Sequence, residues 1–145
     1  MGSRVLGVDL GTRRIGLALS DPLGLTAGPL AVIERSGDRA ADHRAILDAA
    51  GEAGATRIVV GLPLSLSTGA AGPAARAVLD EVDELARRAA LEGVAVETYD
   101  ERLSTVSAQA ALVAGGVKAR DRRRLVDKVA AAVILQSWLD RQRSR

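Results

Sequence analysis

Three acidic positions stand where carboxylates are costly or where strands give out, and their chemistry limits what this chain can do. Asp9 interrupts VLGVDLG, whose other members are apolar or glycine, so its carboxylate projects from near the end of a strand expected to be buried. An ionised group withdrawn from water there needs a cation, a metal or several donors, unless Asp9 simply hydrogen-bonds the turn that follows. Asp127 interrupts LVDKVAAAVIL, a helical stretch apolar nearly all round. Asp121 is better placed to cap that helix ahead of RRRL, which leaves Asp127 more than a turn inside it. The third position is ambiguous. Asp100 and Glu101 are adjacent after VAVETY, where a strand should give way to a helix, and ligands of open α/β sheets gather at such strand ends. Successive strand side chains point to opposite faces, so only one of the two can face a shared site, and spacing does not choose between them. Each could also be solvent-exposed, or cap the next helix together with Ser104 and Thr105.

Such a set, with no cysteine and no histidine cluster, consists of hard oxygen ligands suited to Mg²⁺ or Mn²⁺ and poorly suited to Zn²⁺. Two hard cations about 3.5–4 Å apart can activate water, orient a scissile phosphate and stabilise the leaving oxygen, so phosphodiester hydrolysis then needs no protein nucleophile. The sole histidine, His43, lies among polar residues of a first helix and is expected to be a surface side chain, not a base. Gly11, Thr12, Arg13 and Arg14 offer backbone N–H groups, a hydroxyl and two guanidinium groups in a tight turn, able to hold phosphates or merely to close a hairpin. Gly69 and Gly72, ahead of a second long helix, either let backbone amides approach a phosphate or supply flexibility.

Net charge is only +2, but it is unevenly spread. Residues 1–117 hold 11 Lys/Arg against 15 Asp/Glu, whereas residues 118–145 hold 9 against 3. Lys118, Arg120, Arg122, Arg123 and Arg124, followed by Arg141, Arg143 and Arg145, suit a polyphosphate partner such as nucleic acid, or else a solvated loop and tail. Tyr99 and Trp138 are the only aromatic residues, so contact with nucleic acid should run through its backbone and shape and not through stacked bases.

The elements that must position these groups follow from periodicity. Apolar runs at 4–10 and 14–20, separated by Gly11-Thr12-Arg13, predict a hairpin, with a third strand near 28–34. Helical spacing over 38–54 leads, past Gly51 or Gly54, into a buried strand at 57–63. A second helix is expected from Gly72 to about Glu92, with Val78, Leu79, Val82, Leu85 and Ala86 inward and Asp80, Glu81, Asp83 and Glu84 largely outward. A strand at 94–100, a helix from Ser104 or Thr105 to Gly115, a basic loop and a last helix near 121–141 complete the order. Strands joined by hairpins should be antiparallel, and those reached through helices parallel, which predicts a mixed α/β sheet flanked by helices. A length of 145 residues predicts one domain, 1–145, and 48% hydrophobic composition is enough for its core without disulfides. No stretch reaches the roughly 18–20 apolar residues of a membrane span, so a cytoplasmic protein without membrane contact is expected.

VLGVDLGTRRIGLALSD at 5–21, IVVGLPLS at 58–65, YDERLSTVSAQ at 99–109 and VDKVAAAVILQSWLD at 126–140 resemble, in order and spacing, the YqgF/RuvX proteins of the RNase H-like superfamily. That resemblance implies a metal-dependent endonuclease acting on Holliday junction DNA or precursor 16S rRNA, with Asp9, Glu101 and Asp127 as catalytic metal-binding acids. It selects Glu101 over Asp100, and implies that Arg13, Arg14, Arg102 and the 118–124 loop contact the substrate. A homodimer would suit a symmetric junction. One departure concerns substrate choice: after GLP the family commonly has an Asn- and Gly-containing turn, and this chain has LSLSTGAAG at 64–72. VDLGT also resembles the phosphate loop of actin-like ATPases and sugar kinases, although 145 residues provide only one of their two lobes. A non-catalytic module that binds RNA or a ribosome precursor is the third possibility.

Overall fold

In the computed structural model, which describes residues 3–63, 72–104 and 119–144 but not the side chains of 119–125, the N-terminal apolar runs form a hairpin. Strand β1 (Arg4–Leu10) pairs antiparallel with β2 (Arg14–Ser20), from Leu6 opposite Leu19 to Leu10 opposite Ile15. Strand β3 (Ala27–Glu34) continues antiparallel on β2. Helix α1 (Arg39–Ala53) then carries the chain over to β4 (Ala55–Leu62), and helix α2 (Pro73–Ala90) leads to β5 (Ala95–Asp100). Because each of these strands is reached through a helix, β4 lies parallel to β1 and β5 parallel to β4. The sheet order is β3-β2-β1-β4-β5, the mixed arrangement expected from the sequence.

Local chemistry marks the helix ends. The Asp38 side chain accepts the Ala40 N–H at 2.9 Å to start α1, and Gly54, at φ 73°, ends it in the left-handed conformation that a side chain would strain. Pro73 opens α2, where its missing N–H is no loss. The last helix, α3 (Ala119–Arg143), begins earlier than expected. Ala119 and the arginines after it are strong helix formers, so the helix extends toward the N-terminus. Asp121 is therefore within its first turn and is not its cap, and Arg120, Arg122, Arg123 and Arg124 are on helical backbone, not in a loop. The helix expected between Ser104 and Gly115 and the 64–71 part of the LSLSTGAAG segment lie outside the described residues. None of the helices described is long and apolar enough to cross a membrane.

Strand alternation divides the core in two. Leu6, Val8, Leu10, Ile15, Leu17, Ile58 and Val60 meet Ile46, Leu47, Val82 and Leu85 of α1 and α2. On the other face Ala18, Val59 and Tyr99 meet Ala131, Ile134, Leu135, Trp138 and Leu139 of α3. Ile134 and Leu135 are fully buried, each stabilising the fold by about 2 kcal/mol relative to exposure. Glycines let α3 come this close. A Cβ on Gly7 would lie 2.8 Å from Leu135 Cβ, and one on Gly16 would run into the backbone carbonyl of Asp127.

Candidate active site

The same glycines bring acids from three elements to one end of the sheet. Asp9, near the end of β1, is opposite Gly16 of β2, and the backbone of α3 crosses Gly16 at Asp127. The parallel pairing of β1 with β4 runs to Val8 opposite Val60, and Asp9 and Gly61 are the next residues of the two strands. The Glu101 side chain lies over Gly61, where an added Cβ would be 2.9 Å from Glu101 Oε1. Residues without side chains thus leave room for Asp127 and Glu101 on either side of Asp9.

The electrostatics match this geometry. Burial, then the charges of Glu101 and Asp127, push the Asp9 carboxyl up to about 7. Burial and the charge of Asp100 also raise Glu101. Asp100 itself is held below the usual carboxylate range by hydrogen bonds from Arg102, whose guanidinium reaches it at 2.7 Å and whose backbone N–H reaches it at 2.9 Å. Of the two neighbouring acids, Glu101 is the one that couples to Asp9.

The arginines expected to contact substrate differ in what they do. Arg14 Nε donates to Asp127 Oδ2 at 2.9 Å, with the two side chains 20% and 25% exposed. Arg102 is engaged with Asp100. Thr12 and Arg13 are exposed on the hairpin turn. The backbone of Arg123 and Arg124 is one helical turn before Asp127, and Lys118 lies outside the described residues, as does Gly69. Gly72 is the N-cap of α2. Tyr99 and Trp138 are each only 9% exposed, in the core between the sheet and α3, so neither ring is open for base stacking. Among the described residues, no three His, Cys, Asp or Glu side chains form a closed metal-ligating group, and Asp127 is committed to Arg14.

Sequence reasoning missed a second polar cluster, on the α1/α2 side of the sheet. His43 is fully buried and Glu81 is 4% exposed, against the expectation that both face solvent. Arg35 grips Glu81 at 2.7 and 2.8 Å, and its Nε donates to the Gly11 carbonyl at 2.9 Å. Its backbone N–H donates to the Arg13 carbonyl at 2.9 Å. His43 Nε2 is 2.8 Å from Glu81 Oε2, and its Nδ1 is 2.7 Å from the Arg88 guanidinium. Since a guanidinium only donates, Nδ1 accepts and Nε2 carries the proton toward Glu81. Burial raises the Glu81 carboxyl, but hydrogen bonds from Arg35 and His43 outweigh it and the net shift is downward. These residues strap the Gly11–Arg13 turn to both helices. A signal was present: Glu81 falls three residues after Val78 and four before Leu85, and His43 three before Ile46, on the stripes that pack inward.

A five-stranded mixed sheet with a covering helix, and acids brought from β1, the end of β5 and that helix to one end of it, makes an RNase H-like fold. Solved structures agree on the fold. Thermus thermophilus RuvC in complex with Holliday junction substrate is 21% identical, with a TM-score of 0.58 over 97% of this chain and 96% of that one. The yeast mitochondrial Holliday junction resolvase Ydc2 is 11% identical, with a TM-score of 0.56 over 97% and 79%. Residues 3–141 match the RuvX family, described as Holliday junction resolvase, and the chain belongs to that family. A relative from Anaeromyxobacter dehalogenans (strain 2CP-C) is 50% identical over 139 residues, 96% of this chain and 98% of its own. One from Mycobacterium ulcerans (strain Agy99) is 44% identical over 142 residues, 97% and 81%. Both bear the name "Putative pre-16S rRNA nuclease". Hydrolytic endonuclease is the enzyme class these likenesses define.

Proposed function

We propose that this protein is a divalent-metal-dependent endonuclease that cuts phosphodiester bonds in structured nucleic acid, with Asp9, Glu101 and Asp127 as the metal-holding catalytic acids. The observation that carries the reading is the setting of Asp9: it is buried between two other carboxylates, burial and their charges push its carboxyl up to about 7, and a cation bound there would favour the ionised form of all three. The donor set fits Mg²⁺ or Mn²⁺, because it is all oxygen. When bound, such ions supply an activated water and neutralise charge on the scissile phosphate. Asp9 forms the centre of the site, and Glu101 and Asp127 close it from opposite sides. Thr12 and Arg13 on the hairpin turn, Arg102 after β5, and Lys118, Arg120, Arg122, Arg123 and Arg124 around the start of α3 hold the nucleic-acid backbone and bring a phosphate to the acids. Residues 1–145 act as one domain in the cytoplasm, where both candidate substrates are handled, and a homodimer serves if the substrate is a symmetric junction.

Precursor 16S rRNA is favoured by the names of the full-length relatives, and four-way junction DNA by the description of the family. The test is incubation of the purified protein with junction DNA, matched duplex DNA and precursor rRNA in Mg²⁺ or Mn²⁺, beside the Asp9→Asn, Glu101→Gln and Asp127→Asn variants. Cleavage of one structured substrate that every variant abolishes is the expected result. Metal-dependent cleavage that survives in all three would remove the site assignment.

A further inference from the structure

Building on that reading of the acidic site, we propose that Arg14 is an exchangeable counter-ion: it holds Asp127 in the metal-free protein, is displaced when a divalent cation binds, and then takes the nucleic-acid backbone. The two arginines that flank the hairpin turn show why one is a strut and the other a releasable contact. Arg35 meets Glu81 with both Nη atoms at 2.7 and 2.8 Å, spends its Nε on the Gly11 carbonyl, and is paired with a carboxylate only 5% exposed. Such a fork is expensive to break. Among the described residues, Arg14 makes one side-chain contact, Nε to Asp127 Oδ2 at 2.9 Å, at a position where both side chains are about one-fifth to one-quarter exposed. Contacts of that kind exchange readily.

The surroundings favour exchange in one direction. The backbone of Arg14 is secured, because it pairs with Glu34 on β3 and Arg35 braces the adjoining turn, so its side chain can move without the strand moving. Three carboxylates converge here while the described residues supply Arg14 alone as an ion-pair partner, to Asp127. A dication among Asp9, Glu101 and Asp127 competes for the same Asp127 oxygen and repels the guanidinium. Once released, that guanidinium stands next to exposed Thr12 and Arg13, and its planar fork matches two phosphate oxygens.

The experiment is titration of the full chain with Mn²⁺, followed by the electron paramagnetic resonance of free Mn²⁺, in wild type, Arg14→Gln, Arg14→Lys and Asp9→Asn. The expected result is that Arg14→Gln tightens Mn²⁺ binding by about three- to tenfold while weakening nucleic-acid binding in the presence of the ion, with Arg14→Lys in between. Loss of Mn²⁺ binding in Asp9→Asn together with unchanged or weaker binding in Arg14→Gln overturns the exchange and leaves the acidic site standing. Unchanged Mn²⁺ binding in Asp9→Asn overturns the acidic site, and the exchange with it. A measurement on the unmutated protein guards against misfolded variants: the ¹⁵N resonance of Arg14 Nε should shift on adding Mg²⁺, and a resonance that stays put overturns the proposal.

Discussion

Asp9→Asn should make the metal-free protein more stable at neutral and alkaline pH while removing its metal site. In the unfolded chain the Asp9 carboxyl ionises near 3.8, whereas in the folded protein it holds its proton up to about 7. Below about pH 3 both states are largely protonated, and Asp9 takes almost nothing from stability. As the pH rises from there toward 7, the unfolded chain releases its proton first, so stability falls, and above about 7 the loss is complete. At about 1.4 kcal/mol for each tenfold change in a protonation equilibrium, the interval from 3.8 to about 7 corresponds to about 4 kcal/mol at most. Allowing for relaxation and water entry at a site on the end of a strand, about 2–4 kcal/mol is expected. Asparagine has no such proton. Urea unfolding in EDTA from pH 4 to 8, with wild type and variant compared at each pH, isolates the effect because the other titrating groups cancel in the difference. The difference should be small at pH 4, about 0.5 kcal/mol, and should reach about 2–4 kcal/mol in favour of the variant at pH 8, or roughly 5–10 °C in Tm. Saturating Mg²⁺ should then stabilise wild type and leave the variant unchanged. Equal stabilities at pH 8, or a difference that does not depend on pH, would refute the reasoning.

Gly16→Ala drives a Cβ into the Asp127 backbone carbonyl and should destabilise the protein by about 3 kcal/mol or more in thermal melts, whereas Gly61→Ala meets the movable ends of Ile134 and Glu101 and should lose more cleavage than stability. Breaking the buried fork by Arg35→Met or by Glu81→Leu should cost about 3–5 kcal/mol in urea unfolding, and the double variant distinctly less than the sum of the two. Because folded Glu81 is held below 4.5, its contribution is present above about pH 4.5 and is lost as pH falls through the folded value, so acid unfolding of Glu81→Gln should lack that component. Asp100→Asn should retain metal-dependent cleavage within about threefold while Glu101→Gln abolishes it, since Asp100 is occupied by Arg102; the reverse order in a cleavage assay would exchange their roles.

The sheet was legible because its signals are local. Apolar runs broken by Gly11-Thr12-Arg13 fold back as a hairpin, and RIVVGLP after a helical stretch returns in parallel, so the mixture of antiparallel and parallel strands followed from connection lengths. Asp9 and Asp127 were legible as exceptions in apolar settings. What alternation alone leaves open between Asp100 and Glu101 turns on features it does not carry: the bare Cα of Gly61, distant in sequence, lies beneath Glu101, and the guanidinium of Arg102, two residues on, is drawn to Asp100. His43 and Glu81 were misread because polar character was weighed above stripe position. Charged residues on an inward stripe are costly unless partnered, and the partner, Arg35, is 46 residues from Glu81, beyond what a local pattern can register.

That misreading explains how the acidic site and its support are divided between the two faces of one sheet. The α3 face holds the acids, where glycines at 16 and 61 give up side-chain packing to let Asp127 and Glu101 approach Asp9, and where burial holds a carboxyl in an unfavourable state. Such a site weakens the metal-free fold. The opposite face compensates: Arg35, Glu81 and His43 are hydrogen-bonded in series, and Arg35 holds the carbonyls of Gly11 and Arg13 from behind. Arg14 follows that braced turn directly, so in the proposed exchange its side chain would change partner while the backbone that positions it stays in place. If this division holds, loosening the brace by Arg35→Met should weaken Mn²⁺ binding although Arg35 touches none of the three acids, and restoring stability with an unrelated core substitution should leave that weakening in place. Full recovery of Mn²⁺ affinity on restabilisation would reduce Arg35 to a stability residue.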